Sequence, residues 1–113
     1  MDDLVQFLRD RLAEDEQTAR AAGDGWYGYD PEQQIAFVPP EDSRHIARHD
    51  PARVLREVEA KRRILDEVVP EVEKAEEMIE DEWHTSTDAA DDLIRLLALP
   101  YADHPDYQDT WRP

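Results

Sequence analysis

A chain of 113 residues with 29 acidic and 13 basic residues has room for one small domain and carries a formal net charge of -16. This charge repels nucleic acids and anionic lipids, which argues against direct nucleic-acid binding. Cysteine is absent, so disulfides, cysteine-ligated zinc and thiol nucleophiles are excluded.

Residues 1–113 are expected to fold as a single domain, because apolar residues make up 40% of the chain and recur periodically. No apolar run approaches the length of a membrane span. The start, MDDLVQF, is acidic where a secretory signal peptide would be basic. We therefore expect a soluble, cytoplasmic protein.

The first predicted element is a helix over residues 2–22. Leu4, Leu8 and Leu12 recur every four residues and would form its buried stripe. Two aspartates lie at the start, where the helix dipole favours negative charge, and glycines follow from residue 23.

A short β-hairpin is predicted next. Two runs rich in aromatic and β-branched residues, Trp26–Tyr29 and Ile35–Val38, flank Asp30 and Pro31. A lone hairpin is marginally stable in water, so we expect it to pack against the helices.

Asp50 and Pro51 predict the start of a long helix, with Asp as the N-cap and Pro at the first helical position. Pro70 falls inside this segment and would remove a hydrogen bond. Two interpretations follow: one long kinked helix from Pro51 to about Trp83, or two helices that meet near Val69. An apolar 4–3 spacing runs across Pro70 and favours the first; its positions are Val54, Val58, Leu65, Val68, Val72, Ala75 and Ile79.

A last helix, roughly Asp88–Leu99, follows the cap-rich residues 85–88 and ends at Pro100. Its expected apolar stripe is Leu93, Leu96 and Leu97. The tail after it is expected to be extended. Four aromatic residues would either fill the core or anchor a partner protein, and these are Trp83, Tyr101, Tyr107 and Trp111.

The predicted fold class is mainly α: a small helical domain with one long kinked helix, flanking N- and C-terminal helices and a short β-hairpin. The apolar spacing on the long helix would also suit pairing with a second copy, so a homodimer is one expectation.

Charge is divided along the long helix. Residues 44–63 carry seven basic and three acidic residues, whereas residues 66–92 carry twelve acidic residues and one lysine. We name the basic patch as Arg53, Arg56, Lys61, Arg62 and Arg63. Pairing with carboxylates of the same chain is the favoured use of this patch, and contact with phosphates is the alternative.

Seven acidic residues lie between Glu71 and Glu82. A solvated helix face is the usual interpretation. The sharper hypothesis is a mimic of nucleic-acid charge, which would present carboxylates to the basic groove of a nucleic-acid-binding enzyme. The residues expected to carry this role are Glu76, Glu77, Glu80 and Asp81.

His45 and His49 stand four residues apart, a spacing that places two rings on one helix face. They are weak metal candidates, because two ligands do not make a site; solvent-facing histidines are the favoured interpretation. No cofactor is predicted. Neither a Gly-rich phosphate loop nor a nucleophile–base pair is found, so we expect no enzymatic activity.

Three segments carry a resemblance: HIARHDPARVLREVEAKRRIL, LIRLLALPYADHPDYQDTWRP and DDLVQFLRDRLAEDEQTARAAG. Together they resemble a family of small proteins of unknown function from actinobacteria and their phages. The resemblance implies no activity. Our expectation is a non-enzymatic protein–protein interaction module, and the alternative is a phage-type inhibitor that mimics nucleic-acid charge through the acidic helix.

Overall fold

The computed structural model describes residues 1–22 and 40–113, and these residues are mainly helical. They divide into two compact units, one formed by residues 13–59 and the other by residues 1–12 and 60–113. The helices in chain order are α1 (Asp2–Ala21), α2 (Pro40–Arg48), α3 (Pro51–Arg63), a π-helical segment (Ile64–Val68), α4 (Val69–Trp83) and α5 (Ala89–Ala98), with 3-10 turns at Leu99–Tyr101 and Asp109–Trp111.

The predicted fold class needs one correction, the β-hairpin. The described residues form helices and contain no strand. An isolated hairpin is marginally stable in water, and the described part of the chain offers no strand with which it could pair. The two runs proposed for it, Trp26–Tyr29 and Ile35–Val38, lie outside the described residues.

In the unit of residues 1–12 and 60–113, the first turns of α1 supply the largest of the fully buried side chains. Leu4, Leu8 and Leu12 are fully buried, which confirms the stripe predicted from their spacing. Arg9 on the outer face of α1 forms an ion pair with Asp66, with 2.7 Å between Nη2 and Oδ1. Both side chains are exposed, so this pair adds little stability.

The C-terminal tail packs on α1 through an aromatic cluster. The Phe7 ring lies 5.1 Å from the Trp111 ring and 5.9 Å from the Tyr107 ring, measured between centroids. Only 8% of Trp111 is exposed. Docking of these two residues is therefore confirmed. The expectation of an extended tail is wrong, because the segment contains two 3-10 turns and further turn hydrogen bonds between them.

The long helix is continuous from Pro51 to Trp83, through α3, the π-helical segment and α4. The Val69 N–H donates to the Ile64 carbonyl, five residues earlier, which is the π-type hydrogen bond. Pro70 has no N–H to donate, and its ring would crowd the carbonyl four residues before it in a regular helix. The wider π turn relieves that conflict, so the helix passes Pro70 without ending.

The π turn also changes which residues after it are buried. Val69 is 3% exposed, whereas Val68 is 45% exposed. The predicted 4–3 stripe assigned Val68 to the buried side, which is wrong. An extra residue in one turn shifts every later position around the helix axis.

α5 is in contact with α4, and its buried residues are two alanines and an isoleucine. Ala90, Ile94 and Ala98 are buried, whereas Leu96 is exposed. The expected stripe of large residues through Leu96 is therefore wrong. Alanine is among the residues that are often fully buried, so it can occupy core positions beside isoleucine.

The unit of residues 13–59 contains the start of α3, where the predicted cap is confirmed. The Asp50 side chain accepts a hydrogen bond from the Arg53 N–H at 2.8 Å. The Arg53 guanidinium donates to the last carbonyl of α2, at Arg48, at 3.1 Å. Ala19 and Val58 are buried in this unit.

None of the helices in residues 1–22 and 40–113 combines the length and the apolar character that crossing a membrane requires.

Substitution of two tryptophans by alanine should affect stability to very different extents. Trp111→Ala should lower the free energy of unfolding by about 3–5 kcal/mol, because it empties a packed aromatic site. Trp83→Ala should change it by less than about 0.5 kcal/mol, because that side chain is mostly exposed. Urea unfolding followed by circular dichroism measures both; equal losses would contradict the packing described for the tail.

Candidate functional site

α4 presents an exposed apolar surface, which we name the α4 apolar strip: Ala75, Met78, Ile79 and Trp83. The spacing of these residues places them on one side of the helix. Met78 is 62% exposed and Trp83 is 70% exposed. The four side chains line a shallow concavity together with Glu82. Large apolar residues grouped on a surface mark sites where another molecule binds.

The register set by the π turn explains this exposure. Val69, Val72 and Glu76 follow one another at helical spacing and are buried or half-buried. Ala75 and Ile79, the residues that the 4–3 pattern assigned to the core, are exposed instead. The protein-facing side of α4 is thus narrow, and a second apolar side is left facing solvent.

Glu76 caps the N-terminus of α5. Its carboxylate accepts hydrogen bonds from the N–H of Ala90 at 2.9 Å, from the N–H of Ala89 at 3.2 Å and from the Thr87 hydroxyl. Asp88 occupies the N-cap position, but its side chain forms no capping hydrogen bond. A carboxylate from a neighbouring helix therefore accepts hydrogen bonds from N–H groups that have no acceptor within their own helix.

These contacts act on the ionisation of Glu76. The Thr87 hydroxyl and the N–H of Ala90, with a smaller contribution from the N–H of Ala89, favour the charged form and lower the pKa of the Glu76 carboxyl, although partial burial opposes them. Glu76 was expected to face a partner together with other acidic residues. Its carboxylate is instead engaged within the molecule, where it holds α4 to α5.

The other acidic residues of α4 remain turned to solvent. Glu73, Glu77 and Glu80 line a shallow acidic groove with Asp88 and Asp91 from the start of α5. Asp81 is also exposed. We name the surface formed by Glu73, Glu77, Glu80, Asp88 and Asp91 the acidic groove; Glu76 also lines it, but its carboxylate caps α5. Within the described residues, the carboxylates of Glu77, Glu80 and Asp81 form no hydrogen bond or ion pair, so their negative charge is available to another molecule.

The basic patch is largely engaged by its own chain. Arg53 pairs with Glu57 at 3.2 Å, and Arg63 pairs with Glu67 at 3.3 Å, which confirms intramolecular pairing for these two. Lys61 lies over the Tyr101 ring, 5.8 Å from its centroid. The two remaining members differ, since Arg62 is half-buried and Arg56 is exposed.

The predicted aromatic anchors fall into two groups. Trp83 is exposed on α4, whereas Trp111 is buried and Tyr107 is half-buried in the cluster around Phe7. Tyr101 is half-buried beneath Lys61. Only Trp83 among these four thus offers most of its surface to a partner. Met78 was not singled out from the sequence. The signal that could have identified it is a large apolar residue within an otherwise acidic run, four residues after Lys74 and five before Trp83.

His45 and His49 are placed side by side on α2 and just after it. Their ring centroids are 4.4 Å apart, and Nδ1 of His49 lies 2.9 Å from the His45 carbonyl oxygen. Among residues 1–22 and 40–113, no group of three His, Asp or Glu side chains is arranged to hold a metal ion.

Comparison with known proteins identifies a family without assigning an activity. The model of a family of unknown function (DUF6221) matches residues 1–113. Neither the curated proteins nor the solved structures contain a match to the chain. The resemblance to a family of unknown function is therefore confirmed over the whole sequence.

The cap formed by Glu76 predicts a pH-dependent contribution to stability. A carboxyl whose pKa is lowered by folding stabilises the protein above its ordinary value, here 4.5, and loses that effect as pH falls through the folded pKa. Glu76→Gln should therefore lower the melting temperature at pH 7, and its difference from the unchanged protein should shrink in acid.

Glu77→Gln is the matched control for this measurement. It removes the same charge from the neighbouring residue, whose carboxylate caps no helix. Its melting temperature should stay close to that of the unchanged protein at pH 7. If both substitutions lowered the melting temperature equally, the capping role of Glu76 would be wrong.

Proposed function

The chain belongs to a family of unknown function (DUF6221), which assigns it no activity. From its exposed surface we propose that it is a non-enzymatic protein–protein interaction module. The α4 apolar strip is the surface that binds the partner. The observation that carries this proposal is the exposure of Met78 and Trp83 on one side of a helix.

Physical chemistry supports this use of the strip. Exposed apolar surface gains free energy when a partner removes it from water, in proportion to the area covered. Tryptophan is enriched among residues that dominate binding energy, and methionine adapts its shape to irregular partner surfaces. Trp83 and Met78 are mostly exposed, so their apolar surface contributes little to folding and remains available for a partner.

A second candidate is the mimic of nucleic-acid charge, favoured by the acidic groove. Carboxylates from α4 and α5 converge there, at Glu77, Glu80 and Asp91 among others, on a chain of net charge -16. Such a surface would bind the basic groove of a nucleic-acid-binding enzyme. Glu76 takes no part in this version of the mimic, since its carboxylate caps α5.

The first candidate is tested by affinity capture with a tagged full-length chain. The lysate should come from an actinobacterium, a choice that follows from the sequence resemblance, and washes should be at high salt. A partner held by apolar contact should survive the washes and be lost with Met78→Ala combined with Trp83→Ala. Leu96→Ala is the control, because it removes an exposed apolar side chain from α5. Retention by the double variant would contradict the proposal.

The second candidate predicts a different result in the same capture. A nucleic-acid-binding enzyme should be retained at low salt, released at high salt, and lost with Glu77→Lys combined with Glu80→Lys. The control is Glu71→Lys combined with Glu82→Lys. It changes the net charge by the same amount as the first double variant, but on the other side of α4. If both double variants lost the captured enzyme equally, the binding would respond to net charge alone, and the mimic would be contradicted.

A further inference from the structure

We propose that the partner of the α4 apolar strip is a cationic amphipathic helix of another protein. This inference rests on the proposed function, because it names the occupant of the same surface. It is carried by two observations: the charges that border the strip, and the helical spacing of its apolar residues.

Carboxylates border the strip along its length. Glu71 precedes Ala75 by four residues and Glu82 follows Met78 by four, so both lie on the same side of α4 as the strip. Glu82 lines the concavity itself. Within the described residues neither carboxylate forms a hydrogen bond or an ion pair.

A partner that covers the strip must therefore also satisfy these carboxylates. A purely apolar surface would strip water from Glu71 and Glu82 and leave two charges without partners, which is strongly unfavourable. Lysine or arginine beside the partner's apolar residues would pair with them instead. Charge complementarity of this kind also speeds encounter between the two proteins.

A second copy of this chain does not meet that requirement through α4. Residues 69–83 contain seven acidic residues and one lysine, a net charge of -6. Pairing α4 with its own copy would set two such helices against each other, in either direction. Like charges placed opposite one another disfavour the contact, so the strip selects against the homodimer that the apolar spacing alone would allow.

The shape of the strip favours a helix as the occupant. From Ala75 to Trp83 the apolar residues extend about 12 Å along the axis, roughly two helical turns. Their spacing of three and four residues is the pattern that a facing helix fills with its own apolar side chains. A partner helix with leucines at that spacing would place its flanking lysines or arginines beside Glu71 and Glu82.

Three synthetic peptides of one length test the proposal by calorimetric titration into the full-length chain. The first is a helix of leucine and lysine with leucines at helical spacing. The second keeps the leucines and replaces each lysine with glutamate. The third keeps the lysines and replaces each leucine with glutamine. Only the first should bind measurably. Its affinity should fall as salt screens the charge pairs, but binding through the leucines should persist at high salt.

Variants locate the binding on α4. Trp83→Ala should weaken the leucine–lysine peptide by roughly tenfold or more, as expected for a central aromatic contact. Glu82→Gln should weaken it severalfold. Glu80→Gln removes the same charge on the acidic-groove side and should leave the affinity nearly unchanged. Circular dichroism of each variant confirms that it remains folded.

The outcomes separate this inference from the proposed function. Equal binding of the leucine–glutamate peptide, or equal weakening by Glu82→Gln and Glu80→Gln, would overturn the cationic partner while Trp83→Ala still located an apolar site. A dimer that sedimentation detects and Trp83→Ala dissociates would also overturn it. If Trp83→Ala left the binding of all peptides and of every captured protein unchanged, both the inference and the proposed function would be wrong.

Discussion

A single missing backbone donor, at Pro70, determines how the second half of this molecule is arranged. The long helix accommodates the proline with one π-type hydrogen bond, from the Val69 N–H to the Ile64 carbonyl. That turn shifts every later residue around the axis. It brings Val69 and Glu76 to the side that faces protein and turns Ala75 and Met78 toward solvent. The cap on α5 and the exposed apolar strip are thus two consequences of one local change.

The acidic residues of α4 are chemically alike, and their positions alone give them different roles. Glu76 meets the open N–H groups at the start of α5, where negative charge is favoured, and becomes part of the framework. Glu77 and Glu80 line the acidic groove beside that contact and keep their charge exposed. Glu82 lies beside the apolar strip, where its charge restricts which partner can cover the surface. A run of glutamates that looks uniform in sequence therefore combines structural and surface functions.

The sequence predicts those features that depend on neighbouring residues. The stripe of Leu4, Leu8 and Leu12 and the Asp50 cap follow from spacing and local chemistry, and both are confirmed. The π turn could not be predicted, because Val68 and Val69 are adjacent valines and either could continue the apolar pattern. The cap formed by Glu76 joins residues at least eleven positions apart, beyond the reach of local pattern analysis. Trp83 could be identified as a surface candidate, whereas the burial of Trp111 depends on Phe7 at the other end of the chain.

The register of α4 is tested most directly by cysteine reactivity, since the natural chain contains no cysteine. Val68→Cys and Val69→Cys would each be treated with a thiol reagent under native conditions, with the unfolded chain as the reference. The cysteine at position 68 should react almost as fast as in the unfolded chain, and the one at position 69 should be strongly protected. Protection at position 68 with rapid reaction at position 69 would show an unbroken 4–3 register, and would contradict both the π turn and the outward orientation of the α4 apolar strip.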